Sequence, residues 1–323
     1  MTLRALHDLP APAKLNLFLH VVGRRPDGYH LLESVFVLID WADRLHLERR
    51  DDGALKRHDL GAALPADDLC LRAARALQQA SSCTLGADIS IDKQVPWGAG
   101  MGGGSSDAAT TLLGLNRLWG LNWSRRQLMT LGLKLGADVP FFLGGHPALV
   151  QGIGESLTPL RMPQQHYVVV KPPQAIATRD IFEHPLLSRD TKTVILTGSF
   201  GGTGFIGWPA EWKAGFGQND LQAAAQDRCP EVAQAAHWLK ARYGNSRMTG
   251  SGSAVFARVE TNSRDTEEVG KEVRKDIHKA AGQKDDTGAP PRATFPAEEL
   301  PPGWVGRMCR SLQAHPLVGW AAD

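Results

Sequence analysis

The order of apolar and polar positions predicts a chain of mixed strands and helices. Residues 87–92 alternate apolar and polar side chains as a half-buried strand does, and residues 13–22 and 34–39 are also strand-like. Residues 67–80 and 108–119 place apolar side chains at helical spacing instead. Because strands and helices mix rather than alternate strictly, the pattern favours an α+β fold.

A change in composition predicts a division of the chain near residue 160. Residues 154–164 are rich in proline and polar side chains, and the run Tyr-Val-Val-Val at 167–170 then indicates a buried strand. A chain of 323 residues is long enough for two units that each bury a core. We therefore predict an N-terminal domain over residues 1–160 and a C-terminal domain over residues 161–323.

The strongest chemical signal is the run Gly-Ala-Gly-Met-Gly-Gly-Gly-Ser-Ser-Asp at residues 98–107, between a predicted strand and a predicted helix. Glycines let several main-chain N–H groups approach an anion without a Cβ in the way. Ser105, Ser106 and Asp107 stand where the N-cap of the following helix is expected, and a helix N-terminus adds free donors for phosphate. The run therefore predicts a phosphate-binding loop.

Two common nucleotide-binding loops fit these residues poorly. Residues 98–103 satisfy G-x-G-x-x-G, but no Asp or Glu occurs between Asp107 and Asp138 to hold a ribose. A Walker A loop ends in Gly-Lys-Ser/Thr, whereas the next lysine here is Lys134. A dinucleotide-binding oxidoreductase stays open only as a minor alternative.

Three motifs in order resemble those of the GHMP kinases, a family of small-molecule kinases. Residues 12–17 (Pro-Ala-Lys-Leu-Asn-Leu) resemble the first motif, residues 98–107 the long glycine–serine loop, and residues 248–256 the third, glycine-rich motif. The resemblance implies a ribosomal-protein-S5-like first domain, a ferredoxin-like second domain and an active site in the cleft between them. It also implies that ATP and Mg²⁺ are used.

Four further segments narrow the resemblance to one branch of that family. They are residues 25–30, 135–142, 152–155 and 218–221. The branch that they resemble phosphorylates a cytidine-diphosphate-linked alcohol in the non-mevalonate pathway to isoprenoid precursors. The resemblance does not extend to residues 188–217, which are glycine-rich and predict a long loop or lid, or to a charged insertion over residues 263–298.

Asp138 is the best candidate for the carboxylate that accepts a proton from the alcohol. Its neighbours in the sequence are nearly all apolar, and an unpaired carboxylate is costly in such surroundings. The resemblance supplies the partner, since Lys14 matches the family's active-site lysine. We assign Lys14 and Asp138 as the catalytic residues.

The other predicted site residues fall into two groups. The predicted ATP-binding residues precede or belong to the glycine loop: Pro96, Gly98, Gly100, Gly102, Gly103, Gly104, Ser105 and Ser106. The predicted acceptor-binding residues are Asn16, Tyr29, His30, Thr178 and Phe182. By resemblance, Tyr29 and His30 contact the cytosine, and Phe182 is suited to stack on it. Mg²⁺ is expected to come with ATP rather than to sit in a dedicated protein cage.

Composition and charge exclude several other classes of function. The net charge of +2 provides no field that would gather nucleic acid. No two of the four cysteines form a C-x-x-C pair, and the histidines are not spaced as metal ligands are. No metal site is therefore predicted. Without a signal pattern or a long apolar run, we expect a cytoplasmic protein, without a membrane partner, that is a monomer or weak homodimer.

Two other functions stay open at this stage. A GHMP kinase for another alcohol, such as homoserine or mevalonate, would keep the loop and the Lys14–Asp138 pair but not use Tyr29 and His30. A nucleotide-binding regulatory module would have lost catalysis, and the presence of both Lys14 and Asp138 argues against it.

Overall fold

The computed structural model describes residues 3–194, 206–207, 216–259 and 295–323. The strands are β1 (Ala5–Arg24), β2 (His30–Arg50), β3 (Leu55–Asp59), β4 (Gly86–Asp92), β5 (Ala148–Gly152), β6 (Ser156–Arg161), β7 (His166–Lys171), β8 (Ile206–Gly207), β9 (Arg247–Met248), β10 (Val255–Val259) and β11 (Val305–Leu312). The helices are α1 (Leu69–Ser81), α2 (Gly103–Leu118), α3 (Arg125–Leu133), α4 (Val139–Gly144), α5 (Thr178–Phe182), α6 (Gln222–Arg228) and α7 (Pro230–Tyr243), with 3₁₀ turns at Ala297–Glu299 and Val318–Trp320. The α+β class is confirmed.

A long antiparallel hairpin of β1 and β2 forms the centre of the fold. The predicted strands at residues 13–22 and 34–39 are real but shorter than the observed ones, which extend to both sides. Most residues from Leu9 to Val21 are buried, because helices α1 and α2 cover one face of the hairpin and further strands, among them β7 and β10, cover the other. The tight turn between the strands places Tyr29 and His30 at one end of the hairpin.

One continuous sheet runs through the described chain and crosses the predicted domain boundary. Its path is β8-β6-β5-β2-β11-β7-β10-β9, while β1 and β4 also pair with β2, and β3 pairs in parallel with β4. Near its end the chain returns to the first half, where Leu317 and Ala321 pack into the core formed by α1, α2 and β4. The division at residue 160 stays a prediction.

Helices α1 and α2 pack against each other over this core and approach the glycine loop. Helix α1 begins close to the predicted residue 67, and the carboxylate of Asp68 caps it by accepting the Leu71 N–H at 3.0 Å. Helix α2 begins at Gly103, five residues before the predicted start at residue 108. The glycine run therefore supplies the first turn of α2 as well as the loop.

Two predicted segments fall largely outside the described residues. Of the predicted loop or lid at 188–217, the structure describes only 188–194, 206–207 and 216–217. Of the predicted insertion at 263–298, it describes only 295–298, where the Phe295 ring lies edge-on to Trp238. In the part of the chain that is described, no helix is both long and apolar enough to cross a bilayer.

Candidate active site

The glycine loop adopts a backbone that favours glycine at three positions. Gly98, Gly100 and Gly102 have φ angles of +64°, +71° and +69°. Gly102 is the N-cap of α2, so the expectation that Ser105, Ser106 or Asp107 caps this helix is wrong. With its left-handed φ, Gly102 can lead directly into the helix, and the serines and Asp107 then lie inside it. Helix geometry leaves the first N–H groups of α2 free to bind an anion.

A second glycine turn packs directly against this loop. A Cβ added to Gly100 would lie 2.3 Å from the carbonyl oxygen of Thr249, and one added to Gly250 would lie 2.5 Å from that of Gly100. The N–H of Ala254 also donates to the carbonyl of Ala99 at 3.2 Å. The second and third family-like motifs thus form one wall by contact between backbones.

A cavity of about 380 Å³ lies between the glycine loop and the start of α1. It is lined by seven of the eight predicted ATP-binding residues: Pro96, Gly98, Gly100, Gly102, Gly103, Gly104 and Ser105. Ser106, the eighth, is buried in α2 and does not line it. Leu64, Pro65, Asp68 and the exposed Trp97 also line the cavity.

The two predicted catalytic residues come together beside this loop. The Nζ atom of Lys14 lies 3.7 Å from Oδ2 of Asp138, and a Cβ on Gly102 would lie 3.2 Å from Cγ of Lys14. Asp138 is the N-cap of the short helix α4, but its side chain makes no capping hydrogen bond. Its carboxylate is 31 % exposed, so it stays available to a ligand.

Lys14 is buried on β1, and its ammonium has few compensating contacts. It donates to Oδ1 of Asn16 at 2.6 Å and lies 4.6 Å from the centre of the Phe36 ring. Burial lowers the pKa of Lys14 below its usual range, and the Asp138 carboxylate opposes that shift. A cation held in this way gains stabilisation from any further negative charge placed beside it.

Asn16 joins the first motif to the third. Its Oδ1 accepts from Lys14, from the Thr249 hydroxyl at 3.2 Å and from the Gly250 N–H at 2.9 Å. Its Nδ2 donates to the Ser34 hydroxyl at 3.0 Å. The side chain is buried, and its second amide N–H is the group left to contact the alcohol substrate.

The other predicted acceptor-binding residues lie in two places. His30 stacks on Phe182, with 5.0 Å between ring centres and 25° between ring planes, and the neighbouring Tyr29 is 62 % exposed. Thr178 begins α5, and its hydroxyl lies 2.8 Å from that of Ser251 in the third motif. None of these residues lines the cavity beside the glycine loop.

A second, partly buried lysine lies beside the loop and is not among the predicted site residues. Lys93 follows β4, and its ammonium pairs with Asp107 at 2.6 Å and with Asp43 of β2. Asp43 also accepts the N–H groups of Gln94 and Val95 at 2.6 and 2.7 Å. These contacts connect Lys93, which precedes the glycine loop, to Asp107, which lies in the helix that follows it. No local sequence pattern predicts them.

Comparison with family models and with known proteins identifies the family of this chain. The GHMP kinases N terminal domain model matches residues 68–146, and the GHMP kinases C terminal model matches residues 203–281. The chain is 57 % identical to the 4-diphosphocytidyl-2-C-methyl-D-erythritol kinase of Methylibium petroleiphilum, over 99 % of this chain and 100 % of that one. It belongs to this branch of the GHMP kinases. The chain is therefore a small-molecule kinase that uses ATP.

Further relatives of this GHMP kinase carry the same name. The 4-diphosphocytidyl-2-C-methyl-D-erythritol kinase of Paracidovorax citrulli is 50 % identical over 99 % of both chains. A crystal structure of 4-(cytidine 5'-diphospho)-2C-methyl-D-erythritol kinase matches with a TM-score of 0.66 and 32 % identity, covering 83 % of this chain and 95 % of that one. The expected family and fold are confirmed, and the match to residues 203–281 overlaps the predicted insertion.

Proposed function

We propose that this kinase transfers the γ-phosphoryl group of ATP to the 2-hydroxyl of 4-diphosphocytidyl-2-C-methyl-D-erythritol, giving the 2-phosphate and ADP in the non-mevalonate pathway. The observation that carries this proposal is the Lys14–Asp138 pair, which lies against Gly102 at the start of α2. Phosphoryl transfer to an alcohol needs a proton acceptor close to the N–H groups that bind the phosphate. The relatives' names supply the acceptor.

The transfer assigns one role to each catalytic residue. The acceptor oxygen forms a bond to the γ-phosphorus, and the bond from that phosphorus to the bridging oxygen of ADP breaks. The hydroxyl proton passes to the partly exposed Asp138 carboxylate. Lys14, which is short of negative partners, stabilises the charge that develops on the transferred group.

The glycine loop and the first turn of α2 are the proposed triphosphate site. The cavity is lined by Pro96, Gly98, Gly100, Gly102, Gly103, Gly104 and Ser105. A Cβ on Gly100 would lie 2.3 Å from the Thr249 carbonyl oxygen, and one on Gly102 would lie 3.0 Å from the Phe142 ring, so glycine lets the loop pack closely against these neighbours. The adjoining cavity of about 380 Å³ then accommodates the nucleoside.

The residues at this site also fit a magnesium ion. Among the described residues, the buried Ser106 hydroxyl has no hydrogen-bond partner, and the neighbouring Ser105 lines the cavity. Hydroxyl oxygens, water and phosphate are ligands that Mg²⁺ prefers. We propose that Ser105 and Ser106 hold it, and its chemistry would be to neutralise triphosphate charge.

Acceptor recognition is proposed for the residues around the β1–β2 turn and α5. The exposed Tyr29 ring and Phe182 offer surfaces on which cytosine can stack, and His30 offers a hydrogen-bonding edge. Thr178 and the remaining N–H of Asn16 are assigned to polar groups of the acceptor. A cytoplasmic location and a monomeric or weakly dimeric state are kept as proposals.

The test is ADP release with Mg·ATP and four separate conditions: the diphosphocytidyl methylerythritol, homoserine, mevalonate and no acceptor. We expect turnover on the cytidine acceptor alone. Asp138→Asn should lower kcat about 10²- to 10⁴-fold, the usual contribution of a general base. Asp51→Asn removes a carboxylate that is paired with Arg4 at the surface, and it should leave kcat unchanged.

Other results would contradict specific parts of the proposal. Turnover on homoserine or mevalonate instead would refute the proposed acceptor substrate but would still support a kinase activity. ATP binding without turnover on any acceptor would favour the regulatory module. Full activity of Asp138→Asn would remove the proton-accepting role of Asp138.

A further inference from the structure

Arg189 lies beside the proposed base-binding residues and is held in place by backbone carbonyls. Its Nη1 donates to the Leu187 carbonyl at 3.1 Å, and its Nη2 donates to those of Phe182 and His184 at 3.2 Å. Its Nε lies 3.3 Å from Nε2 of His30. Within the described ranges no carboxylate pairs with Arg189, so its charge and its N–H groups are directed at neutral acceptors.

The contact with Arg189 determines where His30 carries its proton. A guanidinium has N–H donors and no acceptor, so Nε2 of His30 must present its lone pair. A neutral imidazole whose Nε2 accepts carries its proton on Nδ1. The stack on Phe182 holds the ring plane, and in the described part of the chain Nδ1 has no hydrogen-bond partner. His30 therefore offers one N–H donor to a ligand.

We propose that Arg189 is a positioning residue that locks His30 as an Nδ1–H donor and thereby selects cytosine over uracil in the acceptor. This inference rests on the proposed function. Cytosine presents acceptors at N3 and O2, whereas uracil carries a hydrogen on N3. A donor opposite N3 thus matches cytosine and meets a second donor in uracil, which leaves both groups unpaired.

The charges around His30 agree with a neutral ring. Burial lowers the pKa of His30, and the Arg189 and Arg24 guanidinium groups lower it further. Arg24 belongs to β1 and Arg189 follows α5, so cations face the ring from both of these segments. A ring that stays neutral keeps its Nε2 lone pair for Arg189 below the usual pKa of about 6.5.

The tautomer can be measured directly by ¹⁵N NMR of histidine-labelled protein, with His30 assigned by its loss in His30→Gln. We expect a pyridine-type Nε2 and a protonated Nδ1 in the unmodified chain. Arg189→Met should release this preference and raise the pH at which His30 becomes protonated. Arg189→Lys keeps a donor-only side chain and should restore the tautomer in part. Arg179→Met removes a charge exposed on α5 and should change neither property.

Base selection is measured with the cytidine and uridine forms of the diphospho acceptor. Arg189→Met should reduce the kcat/KM ratio of cytidine to uridine at least tenfold, mainly through KM for the cytidine form, and Arg179→Met should leave it unchanged. A merely structural role of Arg189 would lower both activities equally.

An unchanged ratio in Arg189→Met, or a protonated Nε2 in the unmodified chain, would overturn the proposal. If the chain phosphorylates neither form, the proposed function fails and the selection role falls with it. The NMR measurement still decides whether Arg189 controls the His30 tautomer.

Discussion

Lys14 lies on β1 and Lys93 follows β4, the strands on either side of β2, and both lysines approach the same glycine loop, yet their surroundings are opposite. Lys93 pairs with two carboxylates, one of them at 2.6 Å, whereas Lys14 has a single carboxylate at 3.7 Å. Burial alone would lower the pKa of Lys93, but Asp107 and Asp43 outweigh it and raise that pKa. For Lys14, burial prevails and the pKa is lowered.

The difference separates a structural ion pair from the pair that we propose for catalysis. The charge of Lys93 is fully neutralised inside the protein, so this lysine joins the two ends of the loop and needs no ligand. The charge of Lys14 is not neutralised in this way, and the anionic γ-phosphoryl group of ATP would neutralise it. A buried cation that is short of partners is thus a better candidate for catalysis than one that is well paired.

Removing Lys93 should produce the largest effect on stability. Lys93→Met leaves the buried carboxylates of Asp43 and Asp107 without their cation. We expect the free energy of unfolding to fall by about 3–5 kcal/mol, as for other broken buried pairs. Urea denaturation measures this loss, and Lys56→Met on the exposed side of β3 should change it by less than about 0.5 kcal/mol. A loss below about 1 kcal/mol would refute the structural role.

Removing Lys14 should affect turnover far more than stability. In Lys14→Met we expect kcat to fall about 10²- to 10³-fold, because developing phosphoryl charge loses its nearest cation. Stability should change by about 1 kcal/mol or less, since burial already disfavours the ammonium and Asp138 keeps contact with solvent. Single-turnover kinetics and urea denaturation of the same preparation test both statements. A stability loss as large as that of Lys93→Met would erase the distinction.

The smallest expected effect is an opposite pH dependence of the two lysines. Since the pKa of Lys14 is lowered on folding, its contribution to stability should rise with pH up to the unfolded value of about 10.5. The pKa of Lys93 is raised, so its contribution is complete below about pH 10.5 and is lost as pH rises through its folded pKa. The measurement is the unfolding free energy of the unmodified chain minus that of the Met variant, taken for each lysine from about pH 8 to 11. This difference should rise with pH for Lys14 and fall for Lys93. Equal slopes would contradict the assigned environments.

Local signals were sufficient to predict much of the fold and the position of the glycine loop. The alternation at residues 87–92 agrees with β4, and the helical spacing at residues 67–80 agrees with α1 to within two residues. The start of α2 was misplaced because Gly103 and Gly104 are weak helix formers, which normally indicate a loop. Packing of α2 on α1 and β1 overrides that preference and extends the helix into the glycine run.

The candidate site divides in the same way. Lys14 and Asp138 were identified by motif, and the structure brings them together, while their catalytic roles remain a proposal. Lys93 and Arg189 were passed over because their significance depends on residues far away in the chain, Asp43 and His30. No local spacing predicts such pairs.

The sequence by itself determined the types of the main elements and the family to which the chain belongs, and it predicts that residues 98–107 bind phosphate. Only the tertiary structure decided which lysine is paired with two carboxylates and which cation lies against His30. The physical reason is that charge compensation and hydrogen-bond partners depend on strand register and on long-range packing. Those bring Asp43 to Lys93 and Arg189 to His30.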